Sequence, residues 1–136
     1  MDEFISAYTI SVDGVSYRLR VKYPSRLRRF QLIEGSNSGT AQSYRKIRDI
    51  GGTSYTFTMG IEPDPMHPLD YDAFYEVISA PVESHRVIIP YGQSNIEFDA
   101  AIYEGEDTDQ GIQSGQRRYT GLLIRFEPMA PQRTVE

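Results

Sequence analysis

The chain has 136 residues, the length of one domain, and it contains no cysteine, which excludes disulfides, a thiolate nucleophile and cysteine-ligated zinc or iron–sulfur sites. Its net charge of −5 argues against nucleic-acid binding by the whole surface. The N-terminal sequence and the hydropathy predict neither a signal peptide nor a membrane span. We therefore expect a protein that is made in the cytoplasm and binds neither nucleic acid nor membrane.

Alternating apolar and polar residues predict a β-hairpin at the start of the chain. One arm runs from Phe4 to Val12 and the other from Val15 to Tyr23. Asp13-Gly14 joins the arms and suits a type I′ turn, which requires positive φ at both central residues. The polar face of the second arm carries three basic residues: Arg18, Arg20 and Lys22.

Further strands, interrupted by one helix, are predicted along the rest of the chain. The predicted strands are Arg26 to Ile33, Thr53 to Ile61, Val87 to Ile89, Asn95 to Tyr103 and Arg117 to Glu127. Asp70 suits the N-cap of a short helix over about residues 70–79, because aspartate accepts hydrogen bonds from the free amide groups at a helix start. Apolar residues then follow at helical spacing.

Three segments are predicted to lie outside regular structure. Glu34 to Thr40 is polar and rich in glycine and serine, and Glu104 to Gln116 is a long polar loop with three glycines. Pro128 to Glu136 contains little apolar surface and is predicted to be a disordered tail. The folded domain is therefore expected to comprise residues 1–127.

The succession of strands predicts the fold class. Strands without intervening long helices indicate an antiparallel sheet. With six or seven strands and one short helix, we expect a mainly β fold, either an antiparallel β-sandwich or a small β-barrel. The helix would plug one end or cover one face.

No segment matches a strong catalytic or metal-binding motif. The best metal candidates combine suitable ligand types with irregular spacing, and a helix cap, a solvated carboxylate and two surface histidines explain them more simply. These candidates are His67, Asp70, Asp72 and His85. We therefore predict no metal, no cofactor and no catalytic residue. A hydrolase that uses the segment from Asp70 to His85 stays a remote alternative.

The charges are unevenly distributed along the chain. Nine of the fourteen lysines and arginines fall between Tyr17 and Arg48, whereas Glu62 to Asp109 contains twelve acidic residues and one arginine. Oppositely charged faces of two copies can meet head to tail, which generates rings or stacks. The alternative is that these charges pair within one molecule. The predicted assembly surface comprises Arg18, Arg20, Arg26, Arg28, Arg29, Glu97, Asp99, Glu104 and Glu106.

Three stretches carry a resemblance to a known class of protein: VDGVSYRLRVKYPSRLRRFQLIEGSNSG, RDIGGTSYTFTMG and DYDAFYEVISAPVESHRVIIPYGQ. This succession resembles small proteins encoded in the tail-gene region of prophages of Gram-positive bacteria. The resemblance implies a virion component, built on a β-sandwich or β-barrel, that forms rings around the tail axis without a cofactor. Tail-tube proteins generally grip their neighbours with a long hairpin arm, whereas this sequence predicts only polar loops of modest length.

We therefore expect a non-enzymatic phage tail structural or assembly protein, cytoplasmic when synthesised and then part of the virion. Its partners would be copies of itself, in a ring or stacked oligomer, or other phage tail proteins. The alternative is a small-ligand or glycan-binding β module, suggested by ten tyrosines and by the loops near Tyr91 and Tyr103.

Overall fold

The structure is a computed structural model and describes residues 5–22, 25–34, 39–40, 46–47 and 50–134. These residues form twelve strands and one helix. In chain order the elements are β1 (Ile5–Val12), β2 (Val15–Lys22), β3 (Leu27–Glu34), β4 (Gly39–Thr40), β5 (Lys46–Ile47), β6 (Ile50–Pro63), α1 (Pro68–Ile78), β7 (His85–Pro90), β8 (Asn95–Ala101), β9 (Thr108–Gln113), β10 (Gln116–Thr120), β11 (Leu122–Pro128) and β12 (Arg133–Thr134).

Six antiparallel strands close into a barrel. Their order around the barrel is β1, β2, β6, β11, β8 and β7, and the pairing of β7 with β1 completes the ring. Because the ring closes, each of its six strands has a paired neighbour on both sides. The expectation of a mainly β fold with one short helix is confirmed, and the fold is the barrel.

The predicted hairpin forms because its turn residues adopt the required backbone conformation. Asp13 has a φ of 52° and Gly14 a φ of 86°. β1 and β2 then pair along their full length. Ile10, Val12 and Leu19 are fully buried, so alternate residues of both strands enter the core.

The barrel core combines apolar side chains from the wall strands with one face of the helix. Tyr71, Phe74 and Ile78, which lie at helical spacing, are the buried residues of α1. The helix packs against β2 and β6. At 11 residues α1 is too short to be stable alone in water, so this packing holds it in place.

The helix begins at Pro68, two residues before the predicted start. Proline is favoured at the first helical position because its missing N–H would have no partner there. His67 occupies the N-cap position, and it makes no side-chain capping hydrogen bond. The predicted capping role of Asp70 is therefore wrong. Its carboxylate instead accepts a hydrogen bond from the backbone N–H of Arg18 at 2.8 Å, which ties α1 to β2.

The segment predicted as a polar loop from Glu104 to Gln116 contains a strand, so that part of the prediction is wrong. β9 pairs with β10 in a hairpin that turns at Ser114-Gly115, where φ is 52° and 77°. β9 buries no side chain. The strand therefore lacks the apolar alternation that would reveal it in the sequence.

Aromatic packing and one hydrogen bond fix this hairpin to the helix. The rings of Tyr71 and Tyr119 stack with their centroids 5.8 Å apart. The hydroxyl of Tyr71 donates to Oδ2 of Asp107 at 2.6 Å. Burial raises the pKa of Tyr71 above its ordinary value, and the carboxylate of Asp107 raises that pKa further.

Replacing Tyr71 by phenylalanine is expected to lower the free energy of unfolding by about 1.5–3 kcal/mol, the usual net contribution of a hydrogen bond to a charged group. The ring and its stacking on Tyr119 remain, so the loss reports on the bond to Asp107 alone. Urea unfolding measures the change. The control is Tyr103→Phe, whose side chain is exposed, and a loss of the same size in both variants would contradict this account.

The first half of β6 continues the sheet beyond the closed barrel. β2 pairs with β6 only at residues 61–63, and β11 pairs with it only at residues 57–61. From Ile50 to Thr58, β6 pairs instead with β3 through eight register positions, and β12 pairs with it at Gly52 and Thr53. β3 thus follows β2 along one side of β6. Among the described residues, no strand pairs with the other side of β3.

The last described residues are hydrogen-bonded to β6 or β8, which differs from the disordered tail predicted from Pro128 onward. The backbone N–H of Met129 donates to the carbonyl of Asp99 at 3.0 Å. Oε1 of Gln132 accepts from the N–H of Tyr55, and Nε2 donates to its carbonyl, both at 2.8 Å. A side-chain amide thus holds this segment, and the apolar content of the sequence does not reveal such a contact.

Candidate interaction surface

His85 lies inside the fold, so its prediction as a surface residue is wrong. It is 3% exposed, on the inner face of β7. Its Nδ1 is 2.7 Å from Oδ2 of Asp13, whose Oδ1 accepts the backbone N–H of Arg86 at 2.9 Å. The hydrogen bond with His85 lowers the pKa of Asp13. The pair therefore joins the β1–β2 turn to the start of β7, which is a structural use of a histidine.

The other predicted metal candidates have different partners. Nδ1 of His67 is 3.4 Å from Oδ2 of Asp64, and Asp70 binds β2 as described above. Asp72 is exposed on α1. Within the described ranges, no three histidine or acidic side chains are grouped so that they could hold a metal ion. Asp70 and His85, the ends of the candidate hydrolase segment, are likewise engaged by separate partners.

Two acidic residues of the predicted assembly surface pair within the molecule. Nε of Arg86 is 3.1 Å from Oε2 of Glu97, and its NH1 is 3.4 Å from Oδ1 of Asp99. These side chains are exposed, so water and salt screen both pairs and they add little to stability. One guanidinium thus faces two carboxylates, and this face keeps an excess negative charge.

Glu104 and Glu106 line a surface cavity of about 660 Å³. Tyr103, Arg125 and Glu127 contribute to the same lining. The ring of Tyr103 is exposed. This cavity therefore combines an aromatic surface with charged groups of both signs.

Two arginines of the predicted surface hold β3 against the turn after β7. NH2 of Arg26 donates to the carbonyl of Pro90, and NH1 of Arg28 donates to the carbonyl of Tyr91 at 3.0 Å. The guanidinium of Arg28 lies 5.0 Å from the centre of the Tyr91 ring, and that of Arg26 lies 5.8 Å from the centre of Phe57. Cations are attracted to the faces of aromatic rings, so these contacts fix the start of β3.

The remaining predicted arginines lie along the strands. Arg18 is exposed on β2, and Arg29 is exposed on β3. Arg20 is half-buried and lies opposite Glu62 in the register of β2 with β6. The predicted residues are thus distributed over β2, β3, β8 and the segment after β8, together with Arg26 immediately before β3.

β3 exposes three large apolar side chains. Leu27 is 59% exposed, Phe30 is 67% exposed and Leu32 is 36% exposed. Leu27 and Phe30 lie on opposite faces, because side chains alternate along a strand. Exposed apolar surface marks interaction sites, and an open strand edge pairs readily with another chain.

The hydrogen bonds of Tyr55 show which backbone groups of β3 are free. The N–H and C=O of Tyr55 both bind Gln132, on the side of β6 away from β3. Opposite residues of an antiparallel pair exchange either both hydrogen bonds or neither. Phe30 lies opposite Tyr55, so its own N–H and C=O point to the open edge. By the same alternation, those of Arg28 and Leu32 also point there.

The predicted assembly surface includes arginines of this strand but neither Phe30 nor Leu32. The sequence nevertheless contains a signal for Phe30 and Leu32. Apolar residues inside a run of arginines are unusual on the polar face of a buried strand. The pairing of β3 with β6 determines which face of β3 is covered. Residues 35–49 separate these two strands in the sequence. Local periodicity does not reveal that pairing.

Comparison with models of known protein families gives no match, and comparison with curated proteins gives no significant match. Across the part of the chain that the structure describes, no helical segment has the length and hydropathy of a membrane span. The exposed apolar residues of β3, and its edge that no described strand pairs with, make this strand the best-supported functional surface of the described chain.

Proposed function

We propose that this protein is a non-enzymatic structural or assembly subunit of a phage or prophage tail, which associates with copies of itself or with other tail proteins. We base the proposal on one observation: β3 is an eight-residue strand with apolar side chains exposed on both faces and with one edge that no strand in the described part of the chain pairs with. Folded proteins usually cover or interrupt such an edge, because it templates pairing with other chains. The assignment to a tail rests on the sequence resemblance.

The extension of β6 supports this role. Tail-tube proteins generally grip neighbouring subunits with a long hairpin arm, which the sequence of this chain does not predict. β3 and the first half of β6 continue past the closed barrel as an antiparallel pair, with β12 on the other side of β6, and residues 35–49 connect β3 to β6. An extension of this kind fits the role of such an arm better than the polar loops that the sequence predicts.

Deleting the gene from its prophage tests the tail assignment. After induction, particles examined by negative-stain electron microscopy are expected to lack tails or to carry malformed ones. Expression of the wild-type gene from a plasmid should restore them. Normal tails in the deletion strain would contradict the proposal, whatever the protein does in isolation.

Tyr103 favours a second candidate, a small-ligand or glycan-binding module. Its exposed ring offers a flat apolar face with a polar tip, which suits a sugar. Glu104 and Glu106 beside it could accept hydrogen bonds from hydroxyl groups. A glycan array with the wild type and Tyr103→Ala tests this candidate. Binding that the variant loses would support it, and the absence of any binder would remove it.

A further inference from the structure

We propose that the β3 strands of two copies pair edge to edge and antiparallel, about a twofold axis at Gln31. Two barrels would then share one continuous sheet. The inference rests on the proposed function and names the partner of that surface, which is a second copy of this chain. This contact is isologous, so it differs from the head-to-tail contact predicted from the charges.

The free backbone groups decide how a second strand can add to β3. The N–H and C=O groups of Arg28, Phe30 and Leu32 point to the open edge, as the register with β6 requires. A twofold axis perpendicular to the sheet makes the same face of both copies continuous. Even-numbered residues of one copy then lie opposite even-numbered residues of the other. The free backbone N–H and C=O groups of Arg28, Phe30 and Leu32 therefore face the second copy.

Apolar complementarity favours the register centred on Gln31. In this register Phe30 of each copy lies opposite Leu32 of the other. Both side chains are exposed in the single chain, and they lie on the face that also carries Tyr55. Pairing would therefore cover Phe30, the most exposed apolar residue of β3, in both copies. Aromatic and aliphatic residues directly opposite each other stabilise sheets.

Repulsion between charges disfavours a neighbouring register. In the register centred on Gln31, no arginine of β3 lies directly opposite another arginine. Arg29 then lies opposite Ile33. Moving the axis to Arg29 would place two arginines directly opposite each other, which destabilises a sheet. The register centred on Gln31 thus sets apolar residues opposite apolar residues and no like charges opposite each other.

The size of the contact predicts its strength. A strand of eight residues is about 27 Å long, at about 3.4 Å per residue. One added strand on each copy covers less than the roughly 1,600 Å² of a standard stable interface. We therefore expect a weak dimer whose population rises with protein concentration.

A single introduced cysteine tests the pairing, because the chain contains no cysteine of its own. In the proposed register the two Gln31 residues form a pair without hydrogen bonds, with Cα atoms about 4.5 Å apart, which is within disulfide range. Gln31→Cys should therefore form a disulfide-linked dimer under mild oxidation. Non-reducing electrophoresis at increasing protein concentration measures its yield.

Leu27→Cys is the matched control. Leu27 is exposed on the same strand and the same face as Gln31. In the proposed register the two copies of residue 27 are separated by about 27 Å along the strands, so they should not form a disulfide. Cross-linking of both variants to the same extent would indicate random collision and would overturn the pairing.

A second pair of variants separates the backbone from the side chain. Phe30→Pro removes an N–H that points to the open edge, where proline is tolerated, and Phe30→Ser keeps this N–H. Both variants should keep the circular dichroism of the wild type. Sedimentation equilibrium should show dimerisation weakened at least tenfold by proline, and weakened less by serine. Equal dimerisation in the wild type and the proline variant would overturn the edge pairing.

Failure of this inference can be told from failure of the proposed function. A wild-type multimer without cross-linking of Gln31→Cys would overturn β3 pairing and leave the assembly role standing. Cross-linking to another tail protein but not to itself would overturn the assignment of a second copy. A wild type that is monomeric at every concentration would overturn the pairing, and loss of tails in the deletion strain would then separately support docking on other tail proteins.

Discussion

Replacing Phe74 by alanine is expected to lower the free energy of unfolding by about 3–5 kcal/mol. The side chain is fully buried in the core, and its ring meets that of Tyr17 edge to face with centroids 5.9 Å apart. The surrounding strands are joined in a closed ring, which limits their collapse into the cavity left behind. The cost therefore includes both the lost burial and the cavity.

Urea unfolding followed by circular dichroism measures this loss. The matched control is Leu69→Ala on the same helix, because Leu69 is exposed and its truncation should change stability by less than about 0.5 kcal/mol. If the two variants lost equal stability, the helix would not be anchored in the core through Phe74.

Replacing Asp13 by alanine is expected to cost about 1–3 kcal/mol, because the buried His85 and the N–H of Arg86 would lose their acceptor. Alanine would also be strained at a φ of 52°. Asp13→Asn separates the two causes, since asparagine tolerates this backbone conformation and keeps an acceptor while removing the charge. Its loss should be smaller than that of the alanine variant.

The pKa of Asp13 also predicts a dependence on pH. The hydrogen bond with His85 lowers this pKa in the folded state, so the contribution of the carboxylate is fully present above its unfolded value of 3.8. It is lost as the pH falls through the folded value. Urea midpoints measured below about pH 4 should therefore fall more steeply for the wild type than for Asp13→Asn. Parallel curves would contradict the role assigned to this carboxylate.

The sequence predicts elements whose pattern is local. Asp13-Gly14 alone identifies the first hairpin, because few dipeptides adopt positive φ at both positions. Alternation likewise predicts the second half of β6, where Phe57, Met59 and Ile61 enter the core. Extending the same alternation back from Val87 would have placed His85 on the inner face of β7.

Elements held by contacts distant in sequence were harder to predict. β9 has no buried side chain and is fixed through the segment beside it, where Asp107 accepts the hydroxyl of Tyr71. The segment after Pro128 is held by Gln132, whose partner is 77 residues away. Neither contact leaves a periodic pattern in the sequence.

The charge segregation of the sequence is partly removed by folding. Arg86 lies between the carboxylates of Glu97 and Asp99, and Arg117 is 2.6 Å from Asp109. The hairpin pairings of β7 with β8 and of β9 with β10, which composition cannot predict, determine these contacts. The apolar residues of β3 are therefore a more specific basis for assembly than the overall charge distribution.

The most direct test of the central claim compares the mass in solution of the wild type with that of a Phe30→Ser, Leu32→Ser double variant. Light scattering behind a sizing column measures both proteins over a range of concentrations. We expect the wild type to exceed the 15.5 kDa of one chain increasingly with concentration, and the variant to stay at that mass. A monomeric wild type at every concentration, or equal masses for the two proteins, would contradict assembly through β3.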